Sequence, residues 1–130
     1  MSSPQPSWEE LLLNWGARIG AAAFVDRVKA SQVENIIAAL DVIEGREALL
    51  LTALFAQRQA RRLGMGENMA RLVRQAMLEL YDKSLSKEEA RKVLGIAKWV
   101  FEALQGSGAQ LRREQLDKLT LKELLTMLRR

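Results

Sequence analysis

An all-α fold, a compact bundle of five to six helices with short connections, follows from three features of this sequence. Its 2 prolines are Pro4 and Pro6, so the rest of the chain lacks the residue that breaks helices. Ala, Leu, Glu, Lys and Arg, all strong helix formers, recur throughout. At four places a Ser or Thr precedes a Glu by three residues: Ser7–Glu10, Ser31–Glu34, Ser86–Glu89 and Thr120–Glu123. In such a box the hydroxyl and the carboxylate each accept from the other residue's unpaired backbone N–H. Each box here also precedes apolar residues at steps of three and four.

The first helix starts after Ser7, carries Leu11, Leu12, Trp15 and Ile19 inward, and continues through Ala21–Ala23 to Val28. The second starts after Ser31, with Val33, Ile36, Ile37, Leu40 and Ile43 on one face. Gly45 suits the residue after its end, where a left-handed backbone costs glycine little. The third runs from Arg46 to Leu63. Its first half, Ala48–Phe55, is apolar almost all round, which marks it as the most buried helix. Gly64-Met65-Gly66 makes a tight turn into a fourth helix with Met69, Leu72, Val73, Ala76, Met77 and Leu80 on one face. The fifth starts after Ser86 and buries Val93, Leu94, Ala97, Phe101 and Leu104. Gly106-Ser107-Gly108 is the clearest linker. Residues 1–106 therefore form the bundle. Residues 107–130 form a C-terminal helical segment expected to pack on it, since short linkers usually join neighbours.

With 130 residues the chain has the length of one domain and can bury a core unaided. It holds 0 Cys and 0 His. Disulfides, thiol chemistry, zinc–thiolate sites, Ser-His-Asp triads and His-ligated metals are thereby excluded. An enzyme is not expected, nor a cofactor or metal. Glu9/Glu10 and Glu88/Glu89 read as first-turn residues that complement the helix dipole. No apolar run approaches the roughly 20 residues of a membrane span. The opening Met-Ser-Ser-Pro-Gln-Pro lacks the basic and apolar stretches of a secretion signal. A cytoplasmic location with no membrane partner is the expectation.

The net charge of +4 is unevenly spread. Residues 1–45 hold 3 basic and 6 acidic side chains, whereas residues 46–74 hold 6 basic and 2 acidic. The excess is an arginine cluster: Arg58, Arg61, Arg62, Arg71 and Arg74. Arg58, Arg61 and Arg62 fall within about 100° of one another around the third helix. Arg71 and Arg74 share a face of the fourth. A hairpin through Gly64–Gly66 brings all five towards its tip. Guanidinium presents a planar fork that matches phosphate oxygens, so this face points to phosphate-backbone contact. Gln57 and Gln59 read as solvated neighbours. Trp15 reads as core and Trp8 as a packing residue near a helix start. Trp99 reads as core or interface, partly exposed. A helix-turn-helix across the fourth and fifth helices is disfavoured, since Asp82-Lys83-Ser84-Leu85-Ser86 lacks the usual glycine.

The order of these segments resembles a known family. Ser31-Gln32-Val33-Glu34-Asn35-Ile36-Ile37 is followed by the apolar helix Ala48–Phe55, which ends in Ala56-Gln57-Arg58-Gln59-Ala60-Arg61-Arg62. Ala70-Arg71-Leu72-Val73-Arg74 and the helix Val93–Leu104 come next. Residues 30–105 in this order resemble the small helical subunit of CRISPR effector ribonucleoprotein complexes, most like the type III form. The resemblance implies a non-catalytic helical bundle whose copies stack along a filament with other effector subunits. It also implies basic residues against the guide RNA–target duplex or the target strand: Arg58, Arg61, Arg62, Arg71 and Arg74, with Lys92 and Lys98 as weaker candidates. The nucleic acid is RNA or DNA held by its backbone. The alternatives are a helical adaptor that docks its C-terminal amphipathic helix on a partner protein, and a DNA-binding regulator.

Overall fold

The computed structural model describes residues 7–128. Pro4, Pro6, the opening segment read for a secretion signal, Arg129 and Arg130 lie outside them. The described residues form an all-α compact bundle of six α-helices and one 3₁₀ turn. These are α1 (Trp8–Val25), α2 (Ala30–Ala39), α3 (Glu47–Leu63), α4 (Glu67–Asp82), α5 (Lys87–Leu104), the 3₁₀ turn (Arg113–Lys118) and α6 (Leu121–Met127).

Two of the four expected boxes form in full, at Ser86 and Thr120, and at Ser7 the hydroxyl half forms. The Ser7 hydroxyl accepts from Glu10 N at 3.1 Å. Ser86 accepts from Glu88 N at 3.2 Å, and Glu89 Oε1 accepts from Ser86 N at 2.7 Å. Thr120 and Glu123 exchange bonds of 3.0 and 3.1 Å. The fourth does not form as expected. α2 begins one residue before Ser31, and Gln32 Oε1 accepts from Lys29 N at 3.0 Å. Glu34 instead turns to Lys98, at 3.3 Å.

α2 also ends earlier than its apolar spacing suggests, at Ala39. Val42 and Ile43 are exposed. The loop is held to α5, where Arg91 pairs with Asp41 at 2.6 Å and Lys87 Nζ donates to Ile43 O at 2.7 Å. Gly45 does take a left-handed backbone (φ 84°), but in the turn that leads into α3. α1 stops at Val25 rather than Val28, because Arg27 adopts a left-handed conformation with φ 57°. Val28 N then donates to Ala23 O at 3.1 Å and Arg27 N to Phe24 O at 3.1 Å, the paired bonds of a Schellman ending. α4 ends the same way. Ser84 (φ 61°) takes the glycine-like position, and Leu85 N donates to Leu80 O at 2.9 Å.

The most buried helix is α1, not α3. α1 buries Leu12, Trp15 and Ile19 together with a run of small residues, Gly16, Ala17, Gly20, Ala21, Ala22 and Ala23. It packs against α5, α4, the 3₁₀ turn and α6. The small residues let α5 approach closely. A Cβ added at Gly20 would stand 2.5 Å from Ala97 O, and one at Gly16 would stand 2.4 Å from Ile96 Cγ2. α3 buries one side only. Leu50 and Leu54 point outward, while Thr52 is buried and its hydroxyl donates to Ala48 O at 2.8 Å. That internal bond lets a polar residue sit in the core at little cost.

Beyond the linker, Leu116, Leu119 and Leu124 are buried in the same core. Arg18 Nε donates to Leu119 O at 2.9 Å, and Leu121 N donates to Asn14 Oδ1 at 3.0 Å. Both bonds tie the C-terminal segment to α1.

Candidate nucleic-acid interface

α3 and α4 form the hairpin that carries the arginines. Gly64 (φ 70°) ends α3 and Gly66 (φ 92°) opens α4. Both take a left-handed backbone that glycine adopts without penalty. Asp26, in the turn after α1, supplies the cap that Gly66 lacks. Its Oδ2 accepts from Met69 N at 2.8 Å, and its Oδ1 accepts from Asn68 Nδ2 at 2.8 Å. The carboxylate also lies favourably at the positive end of the α4 dipole.

Two contacts set the register of the hairpin. At its open end the Arg46 guanidinium lies over the Tyr81 ring, 4.4 Å from the centroid, and donates to Tyr81 O and Leu85 O. Nearer the turn, Arg74 Nη1 donates to Gln57 Oε1 at 3.2 Å. Ala53, Ala56 and Ala60 face the core. Arg58, Arg61 and Arg62 therefore face out, and all three are exposed. Arg61 stands one turn from Gln57, so Arg74 joins the same outer face.

The other predicted residues are placed differently. Arg71 pairs with Asp117 of the 3₁₀ turn and donates to Asn68 Oδ1 at 3.3 Å. Lys98 pairs with Glu34 at 3.3 Å. Lys92 lines a groove between α1 and α5. Gln59 is buried rather than solvated. It lies on the opposite side of α3 from Gln57, and its Nε2 donates to Gln32 O at 3.2 Å.

The structure thus gathers Arg58, Arg61, Arg62 and Arg74 on one face. Among the described residues none of these four has an ion-pair partner within 4.0 Å. Along the same outer side of the hairpin lie the exposed Leu50, Leu54 and Leu78. Leu78 already falls off the inward stripe of α4 in the sequence, whereas for Leu50 and Leu54 periodicity cannot show which side of an all-apolar stretch turns out. Trp15 is core, as expected, and its indole N–H donates to Glu79 Oε1 at 2.6 Å. Trp8 and Trp99 are exposed, but they line the α1–α5 groove and not the arginine face.

This face can bind anions by charge and by guanidinium forks. Trp8, Trp15 and Trp99 all lie away from it. Among the described residues no group of three or more acidic side chains could hold a metal ion, and no helix is long and apolar enough to cross a membrane. The fold and this face define an all-α bundle with an exposed cationic hairpin. No family model, curated protein or solved structure matches the chain.

Proposed function

We propose that this protein is a non-catalytic, nucleic-acid-binding small subunit of an RNA-guided CRISPR effector complex. In this reading it holds the phosphate backbone of the target strand or guide–target duplex through Arg58, Arg61, Arg62 and Arg74. The observation that carries the proposal is the exposure of these four guanidiniums, on one face, without carboxylate partners among the described residues. Across residues 56–74 the hairpin carries five arginines against one carboxylate, Glu67. The affinity is electrostatic and indifferent to sequence, and guide–target pairing supplies specificity. Stacked copies would multiply a small contribution from each subunit.

Fluorescence anisotropy with single-stranded and duplex RNA at two salt concentrations tests the contact. The variant carrying Arg58→Ala, Arg61→Ala and Arg62→Ala is expected to lose affinity. Its salt slope should fall by about 0.7 per lost single-strand contact. Arg71→Ala, which removes an arginine already paired with Asp117, is expected to leave the slope unchanged. Equal binding by the triple variant would refute the assignment of the face. Adjacent CRISPR-associated genes would support the effector-complex part of the reading, and an operon of metabolic genes would count against it.

A further inference from the structure

A groove opens between the start of α1 and the middle of α5, with a volume of about 620 Å³. Small-molecule sites typically run from about 300 to 1,000 Å³, with mostly apolar walls and a few polar groups. The groove shares no residue with the arginine face, and three observations bear on what it takes.

The first is aromatic. Trp99 is 73% exposed and Trp8 is 52% exposed, and both line the groove. Among the described residues these are the two largest apolar side chains the fold leaves in water. The Trp8 ring already accepts a cation, since Lys83 Nζ lies 5.8 Å from its centroid.

The second is Gly95, one turn before Trp99 within α5. A glycine inside a helix costs about 1 kcal/mol relative to alanine. At Gly16 and Gly20 the close approach of α5 explains that cost. At Gly95 an added Cβ would meet nothing within 4 Å, so none of the described residues requires glycine there. Its missing side chain lowers the groove floor, which suits something that approaches α5 from outside.

The third is charge. The ionisable groups lining the groove are two carboxylates, Glu9 and Glu89, and one ammonium, Lys92, with the Lys83 ammonium at the Trp8 ring as a fourth charge. Glu89 accepts from Ser86 N at 2.7 Å and from Ser86 Oγ at 2.6 Å. These bonds hold its carboxyl below the usual range and keep it ionised. With these charges balanced, the negative faces of the two exposed indoles favour a cation over an anion, nucleic acid included.

We propose that the α1–α5 groove binds an organic cation with a bulky apolar or aromatic body. The body lies over Gly95 between Trp8 and Trp99, and the positive charge faces Glu9 and the indole rings.

The test uses tetraphenylphosphonium and tetraphenylborate, ions of nearly the same shape and opposite charge, read by quenching of tryptophan fluorescence. Wild type is expected to show saturable quenching by the phosphonium at least tenfold tighter than by the borate. Gly95→Leu fills the floor and is expected to weaken phosphonium binding at least tenfold. Glu9→Gln is expected to weaken it severalfold without weakening the borate. Circular dichroism checks that each variant is folded. Trp99→Ala, which removes an exposed ring, carries the same expectation should Gly95→Leu fail to fold. Absence of saturable quenching, equal or tighter binding of the borate, or unchanged binding in both Gly95→Leu and Trp99→Ala would overturn the proposal. Sedimentation of wild type as a dimer that Trp99→Ala dissociates would also overturn it, because a second copy would then fill the groove.

Discussion

Replacing Gly20 by alanine is expected to destabilise the bundle, although alanine is the better helix former. The added Cβ would stand 2.5 Å from Ala97 O, 2.7 Å from Val100 Cβ and 2.8 Å from Val100 Cγ1. Carbon atoms in ordinary contact lie about 3.5–4.0 Å apart, so the gap must widen by about 1 Å. Ala97 O is backbone and cannot rotate away, so α1 and α5 must part. Overpacking of this kind costs about 1–3 kcal/mol. The change also recovers about 1 kcal/mol of helix propensity. With the obstacle in the backbone the upper part of the range applies, leaving a net loss of about 1–2 kcal/mol. That corresponds to a fall in Tm of about 4–8 °C for a domain of this size. Gly95→Ala is the matched control. The same substitution in open space keeps the propensity gain and is expected to stabilise by about 0.5–1 kcal/mol. Urea unfolding followed by circular dichroism measures both, with the slope m checked for constancy. A Gly20→Ala protein as stable as wild type at unchanged m would refute the packing argument. So would a Gly95→Ala protein destabilised to the same degree.

Asp26→Ala removes the side-chain cap of α4 and is expected to cost about 1–2 kcal/mol in urea unfolding. Ser84→Gly relieves a left-handed backbone and is expected to raise stability by up to about 1 kcal/mol in the same assay. Leu116→Ala hollows a fully buried position between the C-terminal segment and α1, and is expected to cost about 2–5 kcal/mol. A loss below 1 kcal/mol would mean that this segment adds little to the core. The Glu89 carboxyl is held below its ordinary value of 4.5, first by the Ser86 hydroxyl and then by the Ser86 N–H. Its contribution is therefore complete above that value and is lost as pH falls through the lower folded value. Glu89→Gln is expected to flatten this part of the acid limb in a pH series of unfolding midpoints.

The features legible in the sequence are those decided within a turn or two of helix. The boxes at Ser86 and Thr120 are complete within four residues, and Gly64 and Gly66 need only their own backbone freedom. The inward stripe of α4 shows because polar residues alternate with it at helical spacing. The arginine face was legible for the same reason, since Arg58, Arg61 and Arg62 follow one another on a single helix opposite three alanines. The all-α class rests on many such local signals acting together. What the tertiary structure alone decided involves partners distant in sequence. Gly16 and Gly20 are meaningful only once α5 lies across them, and Asp26 becomes a cap only when α4 arrives. An apolar run such as Ala48–Phe55 carries no sign of its outward side until neighbours cover the other. Arg71 and Lys98 look like Arg58 and Lys92 in the sequence, yet Asp117 and Glu34 reach only the first two. Local hydrogen bonds and periodicity set the helices; long-range packing chose which charges were neutralised and which surfaces were left exposed.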